Sequence, residues 1–356
     1  MKGVSIMDAS FFAQNSSLAH FEGMRRGMEN GVVGGRDDVI IVERRIPDSL
    51  LMYETLLKRL DDESANYSEI VLKYQSLKKG YYGELRADRE WKDMHIQREH
   101  YLFYSFEAKN QFGHTFQMDT LFMCRHFILV MESKDIGGRL DFDDTTRQFT
   151  QTRATGEVLS FSNPIDQVLR HQAFVQAELM KIGISVPVVP VVVITDSSTI
   201  IGSKSKEVSV FNVTGLRSKL EKLFERYPQV LSDEQLDYVK DHFVSCYTRL
   251  PIKRNYPSVR LLPGVICKMC RKQMVHVRRC FQCLACGVKN SQGMYEAMHD
   301  YRLLYKEWIT NSEFRDYMGI PNIYTASRML KRMNLPHTGG NKNRKYFIPA
   351  DILEKR

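Results

Sequence analysis

The sequence predicts an α/β fold, a mixed sheet flanked by helices, followed by a cysteine-rich module and a small basic helix-turn-helix module. Three observations predict it. The apolar runs 127–131 and 188–194 are short, and the second is rich in β-branched residues, so both read as buried strands. Two Cys-x-x-Cys pairs, Cys267/Cys270 and Cys283/Cys286, stand twelve residues apart. Residues 251–356 hold 20 Lys and Arg against 7 Asp and Glu, a net of +13, whereas residues 1–250 hold 31 against 35, a net of −4. A surplus of positive charge confined to one region is the electrostatic footprint of a polyanion-binding module.

With 356 residues, 43% hydrophobic and 26% charged, the chain is neither disordered nor fibrous, and at ~150 residues per domain it holds two or three domains. No apolar stretch approaches the ~20 residues that span a bilayer, the longest candidate, 182–195, being interrupted by Pro187 and Pro190. The N-terminus lacks a basic flank followed by an apolar run, so no secretory signal is read. A cytoplasmic, reducing location is expected, with no membrane partner, and seven cysteines there point to metal before disulfides.

Along the chain, residues 1–38 are rich in Gly, Ser, Asn and Met without a period and read as a disordered leader. Helices follow over 50–60 and 67–91, giving an N-terminal helical section, 39–74, ahead of the main domain, 75–205. The second helix has Ile70, Leu72, Tyr74, Leu77, Tyr81 and Leu85 at roughly helical spacing, and Gly83 permits close approach beside Glu84. Strands are expected over 101–106, 116–123, 127–134 and 187–195. A helix over 164–182 takes Pro164 in its first turn and Asn163 as its cap, with Gln167 one turn in. Two helices over 213–247, split at Tyr227-Pro228 and recapped near Ser232, form a connector within 206–250.

The chemistry concentrates at Asp119, Glu132 and Lys134. Side chains two apart on a strand share a face, so Glu132 and Lys134 deliver opposite charges to one side of a buried strand. Asp119 lies on the preceding arm of a hairpin turning near residues 124–126. The two carboxylates can converge on a hard divalent cation, with Lys134 beside them to steady a nucleophilic water or a phosphate charge. An isolated Glu-x-Lys is more often a plain cross-sheet ion pair. Here Asp119 and the flanking motifs shift the balance toward a site.

Those motifs are Gly80-Tyr81-Tyr82-Gly83-Glu84, Gln117-Met118-Asp119, Gly137-Gly138 and Asn163-Pro164-Ile165-Asp166-Gln167, in that order. Together they resemble the nuclease-related domain (NERD) of bacterial proteins, within the PD-(D/E)xK nuclease superfamily, over roughly residues 75–200. Met118 stands where the superfamily pattern has Pro. The resemblance implies a restriction-endonuclease-like mixed sheet, with Asp119 and Glu132 as ligands of magnesium or manganese and Lys134 as the catalytic lysine. It adds Glu84 as an acid on the leading helix and Gln167 as a polar site residue, though both read equally well as ordinary polar helix positions. His95, His114 and His126 receive no role. Residues 40–45 resemble the point where related chains begin, so the leader also reads as an upstream extension of the reading frame.

Four thiolates at Cys267, Cys270, Cys283 and Cys286 suit one tetrahedral structural zinc, in a zinc ribbon over 262–290. Cys280 makes an equally spaced pair with Cys283. The knuckle context, Phe281 before Cys283 and Gly287 after Cys286, favours the register without Cys280. Residues 298–356 then read as a winged-helix-like tail: a helix started at Thr310-Asn311-Ser312-Glu313, a turn at Gly319, and a helix over 322–333 with Ile323, Ala326, Leu330 and Met333 on one face. A basic hairpin follows. Arg328, Lys331 and Arg332 of that helix and Lys342, Arg344 and Lys345 of the hairpin are the tail's candidate DNA-binding residues, while a protein-interaction module is the alternative reading. The expected function is metal-dependent hydrolysis of DNA in processing or repair, against a non-catalytic DNA-binding scaffold. DNA is the implied partner, and homodimerisation stays open.

Overall fold

The computed structural model describes residues 39–60, 64–340 and 343–354. The leader 1–38 and Lys342 lie outside the described residues. The chain opens with β1 (Ile40–Val42), then α1 (Asp48–Arg59) and α2 (Tyr67–Lys92). Asp48 in the first turn of α1 and Lys58 and Arg59 in its last complement the helix dipole. An antiparallel meander of β2 (His100–Lys109), β3 (Thr115–Cys124) and β4 (Ile128–Lys134) follows, turning at 110–114 and 125–127. Next come β5 (Arg139–Phe142), β6 (Phe149–Thr152), β7 (Val158–Phe161), α3 (Pro164–Lys181), β8 (Val188–Ile194), β9 (Ile200–Ile201) and β10 (Ser209–Asn212).

Six strands form the central mixed sheet in the order β1-β2-β3-β4-β8-β10, with β4, β8 and β10 parallel and β2, β3 and β4 antiparallel. Residues on β3, β4 and β8 are buried on both faces, as the continuous apolar runs require. One face packs with α3 and α5 (Asp233–Cys246) through Phe174, Val175, Leu236, Val239 and Phe243. The other carries Trp91 of α2 and Leu220 and Leu223 of α4 (Leu216–Arg226). Asn163 caps α3 by accepting from Ile165 N at 2.9 Å, and Ser232 and Gln235 close a reciprocal capping box on α5, as their spacing predicts. A second, four-stranded sheet, β7-β6-β5-β9, joins the same core through Leu140, Phe142 and Phe149.

Beyond residue 250 lie β11 (Val275–Val277), β12 (Cys280–Gln282) and β13 (Lys289–Asn290), an antiparallel ribbon. Then follow α6 (Gly293–Leu304), β14 (Trp308–Thr310), α7 (Asn311–Met318), α8 (Ile323–Arg332), β15 (His337–Thr338) and β16 (Lys345–Phe347), whose strands pair in the order β14-β16-β15. Thr310 and Glu313 form the capping box of α7, and Gly319 ends it at φ 65°.

The boundary read at 74/75 falls inside α2, which runs unbroken as the helix read over 67–91. Ribbon and tail share one core, in which Cys267, Phe281 and Cys283 pack with Met298, Tyr301, Phe314 and Leu330. Ile323 is half exposed, unlike Ala326, Leu330 and Met333, because Asn322 starts the helix at the edge of that core. The C-terminal part is also clamped to α1. Arg59 donates to Asp300 Oδ2 at 2.7 Å and to the carbonyls of Leu262 and Gly264, and Leu303 and Leu304 enter the core of α1 and α2. Among the described residues no helix is long and apolar enough to cross a membrane.

Candidate active site and thiol cluster

The end of β4 and the middle of β3 meet a cavity of about 410 Å³, lined among others by Glu84, Asp119, Glu132, Lys134 and Gln167. All five residues expected at a site are therefore in one place. The antiparallel register sets Thr120 opposite Met131 and so brings Asp119 beside the Glu132-Ser133-Lys134 strand end. Ser133 N donates to Asp119 Oδ2 at 2.7 Å, which fixes that carboxylate against β4. Lys134 Nζ donates to Glu132 Oε1 at 2.6 Å and to Gln167 Oε1 at 3.2 Å, so the first turn of α3 positions the ammonium. Glu84 comes from α2, whose close approach Gly83 allows. A Cβ there would stand 2.6 Å from Asp135 Cβ and 2.7 Å from Thr195 Oγ1.

Asp119 is 8% and Glu132 2% exposed, so the site holds charge in a poorly solvated place. Burial first, and the neighbouring Asp119 carboxylate second, push the Glu132 carboxyl upward. Glu84 is raised by burial and by Asp119, against the opposing pull of Arg44. Burial works against the Lys134 charge, but Glu132 and Asp119 outweigh it and raise its pKa. The ammonium is thus held charged.

Two residues absent from the sequence reading complete the arrangement. Arg44, just after β1 and 2% exposed, pairs with Glu84 and forks onto Asp88, donating to Asp88 Oδ1 at 2.8 Å, to Ser105 Oγ at 2.9 Å and to the Asp119 carbonyl at 2.8 Å. Ser105 adopts φ 46°, a conformation a non-glycine residue takes only where its surroundings hold it. It faces Asp119 where the β2/β3 register passes from Tyr104↔Thr120 to Phe106↔Met118. No local motif announces Arg44, because its partners are 40 to 75 residues away. His171, on α3 one turn after Gln167, lies 3.8 Å from Glu132 Oε2, and burial, then Arg170 and Lys134, hold its pKa down to about 4. It is a neutral wall behind Glu132. An i+4 repeat from Gln167 along the helix was the available signal.

Residues 79–195 match the family model of the nuclease-related domain, NERD. The matched span lies within the 75–200 expected from the motifs, and it covers less than half of the chain. No curated protein matches the chain. Glu84, Asp88, Asp119, Glu132, Lys134, Gln167 and His171 lie inside the NERD span, whereas Arg44 lies outside it. The match points to a nuclease-related function at that level, and domains of this kind usually act on nucleic acid with a divalent metal.

The four thiols of Cys267, Cys270, Cys283 and Cys286 gather within 4.8 Å of one another, a cluster that can bind zinc. Their contacts of 3.3, 3.5 and 3.7 Å are close to the edge of about 3.8 Å that four Zn–S bonds of ~2.3 Å define. Gly287 at φ 76° and Arg271 at φ 57° make matching turns after the two knuckles. Backbone N–H of Cys286 and then the Cys270 thiol pull the Cys283 thiol down to about 6. Cys280 stays out of the cluster, its Sγ donating instead to the Val277 carbonyl at 3.6 Å. In the tail Arg328, Lys331, Arg332 and Lys345 are exposed and Arg344 is half-buried.

Proposed function

We propose that this protein is a metal-dependent, nuclease-like enzyme that hydrolyses phosphodiester bonds in DNA, in the service of DNA processing or repair. The observation that carries the reading is the convergence of Asp119, Glu132 and Lys134 from two adjacent strands on one cavity, inside the NERD span. Their donor set suits Mg²⁺ or Mn²⁺, both hard cations that prefer oxygen. Glu132 Oε2 is buried without a hydrogen-bond partner, and burial, with Asp119 adding to it, pushes the carboxyls of Glu132 and Glu84 upward, a cost that a bound cation would offset. Asp119 and Glu132 would hold the metal, which supplies Lewis-acid polarisation of the phosphate and a water of lowered pKa.

The chain's own groups do the rest. Gln167 keeps Lys134 Nζ aimed at the cavity, where the ammonium balances charge on the scissile phosphate or orients the attacking water. Arg44 pulls against the burial that raises Glu84 and Asp88, and it holds the Asp119 backbone, so the acid does not swing away. His171, uncharged, adds no competing cation behind Glu132.

The mixed sheet with its carboxylates at one strand end supports a restriction-endonuclease-like core. The order β14, α7, α8, β15, β16 and the exposed Arg328, Lys331, Arg332 and Lys345 support a winged-helix grip on DNA, with Arg344 at its rim. A structural zinc in the four-Cys cluster would brace that grip through the shared core. A scaffold that binds DNA without cutting it is the second reading, favoured by the Glu132–Lys134 and Arg44–Glu84 pairs, which already neutralise part of the acidic charge. Incubation with branched and linear DNA, with and without Mg²⁺ or Mn²⁺, separates them. Cation-dependent cleavage supports the enzyme, and cation-independent binding with intact DNA supports the scaffold.

A further inference from the structure

A second constellation stands away from this cavity. Glu178 is in the last turns of α3, and His242 and Cys246, one turn apart, are in the last turns of α5. Both helices set their apolar sides into the same core, which carries Glu178 to 5% exposure while His242 and Cys246 stay partly open. Glu178 Oε2 lies 3.1 Å from His242 Nε2 and 3.6 Å from Cys246 Sγ, and Cys246 Sγ lies 3.6 Å from His242 Nε2. Lys181 holds the other oxygen, Oε1, at 2.5 Å, which leaves Oε2 turned into the triangle.

Hydrogen bonding satisfies this triangle incompletely. If His242 Nε2 and Cys246 Sγ both donate to Glu178, neither has a proton left to donate to the other, and the third edge goes unbonded. One cation at the centre engages all three lone pairs. With Zn–S of ~2.3 Å and Zn–N and Zn–O of ~2.0 Å, a tetrahedral ion sets its ligand atoms about 3.3 Å apart for N and O and about 3.5 Å for the sulfur edges. The triangle has those proportions. Thiolate and carboxylate together cancel the charge of a divalent ion, which lowers the cost of burying them. A thiolate, an imidazole and one carboxylate oxygen select zinc over magnesium.

We infer that Glu178, His242 and Cys246 bind a zinc ion, with solvent in the fourth position, as a clasp between α3 and α5. The site is independent of the proposed nuclease chemistry, since Glu178 is eleven residues beyond Gln167 and so about 16 Å further along the helix at ~1.5 Å per residue. It is equally independent of the four-Cys cluster.

The test is zinc content by plasma mass spectrometry on the full chain and on His242→Gln and Cys246→Ser. Glutamine keeps a donor for Glu178 but is a poor zinc ligand, so a purely hydrogen-bonded trio tolerates it. Each variant is expected to carry one zinc fewer than the wild type, and Cys283→Ser should leave that difference untouched. Equal zinc in the wild type and His242→Gln overturns the inference. Should either variant fold poorly, alkylation of the wild type decides. Cys246 is expected to react with iodoacetamide only after chelation, and labelling at the same rate with and without chelator overturns the site.

Discussion

Arg44 holds Asp119 by its backbone: the guanidinium donates to the Asp119 carbonyl at 2.8 Å while the Asp119 side chain accepts from Ser133 N at 2.7 Å. The acid is thereby fixed from both ends, one of them by a residue outside the NERD span. Arg44→Ala would leave Glu84 and Asp88 buried without their counter-charge, and breaking such a pair costs about 3–5 kcal/mol. Arg44→Lys cannot reproduce the fork onto Asp88, Glu84, Ser105 and the Asp119 carbonyl, so it should recover little of the loss. Urea unfolding of the three proteins checks this. A lysine variant as stable as the wild type would show that only the charge matters.

Asp300 gives a pH dependence. Burial raises its carboxyl, but the Arg59 guanidinium outweighs burial and brings it down to about 2. An acid with a depressed folded-state pKa contributes stability that is present above its unfolded value, about 3.8, and is lost as pH falls through about 2. At 1.36 kcal/mol per unit the contribution is about 2–3 kcal/mol at neutral pH. Asp300→Asn should therefore cost at least that much at pH 7, with the gap to wild type narrowing between pH 4 and pH 2. Denaturation midpoints across that range measure it, and a constant gap would refute the Arg59–Asp300 assignment.

The register of the four-Cys cluster is testable by two substitutions. Cys280→Ser should keep the ribbon zinc, because Sγ there bonds the Val277 carbonyl and stays out of the four-thiol cluster, while Cys283→Ser should lose it. Since Cys267, Cys283 and Phe281 sit in the same core as the tail, losing the metal should also lower the thermal midpoint of the C-terminal part. Zinc lost from Cys280→Ser would mean that the alternative knuckle is used.

Salt dependence tests the tail. Removing residues from 300 onward would strip Leu303 and Leu304 from the core around α1, so neutralising the charges is the cleaner variant. If Arg328, Lys331, Arg332 and Lys345 each contact a phosphate, the slope of log K against log salt on duplex DNA should fall by about 3.6, at ~0.9 per contact, when all four become Gln. Fluorescence anisotropy over a salt series gives the slope. An unchanged slope would favour the protein-interaction reading of the tail.

The β3/β4 hairpin, α3 and the capping box of α5 were legible because their signals are local: apolar runs between turns, Asn163-Pro164 and Ser232 with Gln235. The same is true of the thiols, whose spacing together with Phe281 and Gly287 selects a tetrahedron. The acid cluster was legible as a set of residues but not as a charge balance. Arg44 follows a strand of three residues that is a strand only because β2 accepts it, and its role exists only in the folded chain. The sheet of β5, β6, β7 and β9 escaped notice for the same reason. Its strands of two to four residues carry polar positions such as Thr150, Gln151 and Ser160 and no sustained alternation. Nor could the joining of ribbon and tail be read, since it depends on Met298, Tyr301 and Phe314 meeting Phe281 and Cys283 across the chain.

The most direct test of the central claim is the rate of Mg²⁺-dependent DNA cleavage by wild type, Asp119→Asn, Glu132→Gln and Lys134→Ala, with DNA binding measured in parallel. Each substitution removes a metal ligand or a charge at the reacting phosphate, so the account predicts rates lower by ~10² to 10³ with binding and fold retained. Rates within about threefold of wild type in all three, well inside the tenfold that 1.36 kcal/mol of barrier makes, would contradict it.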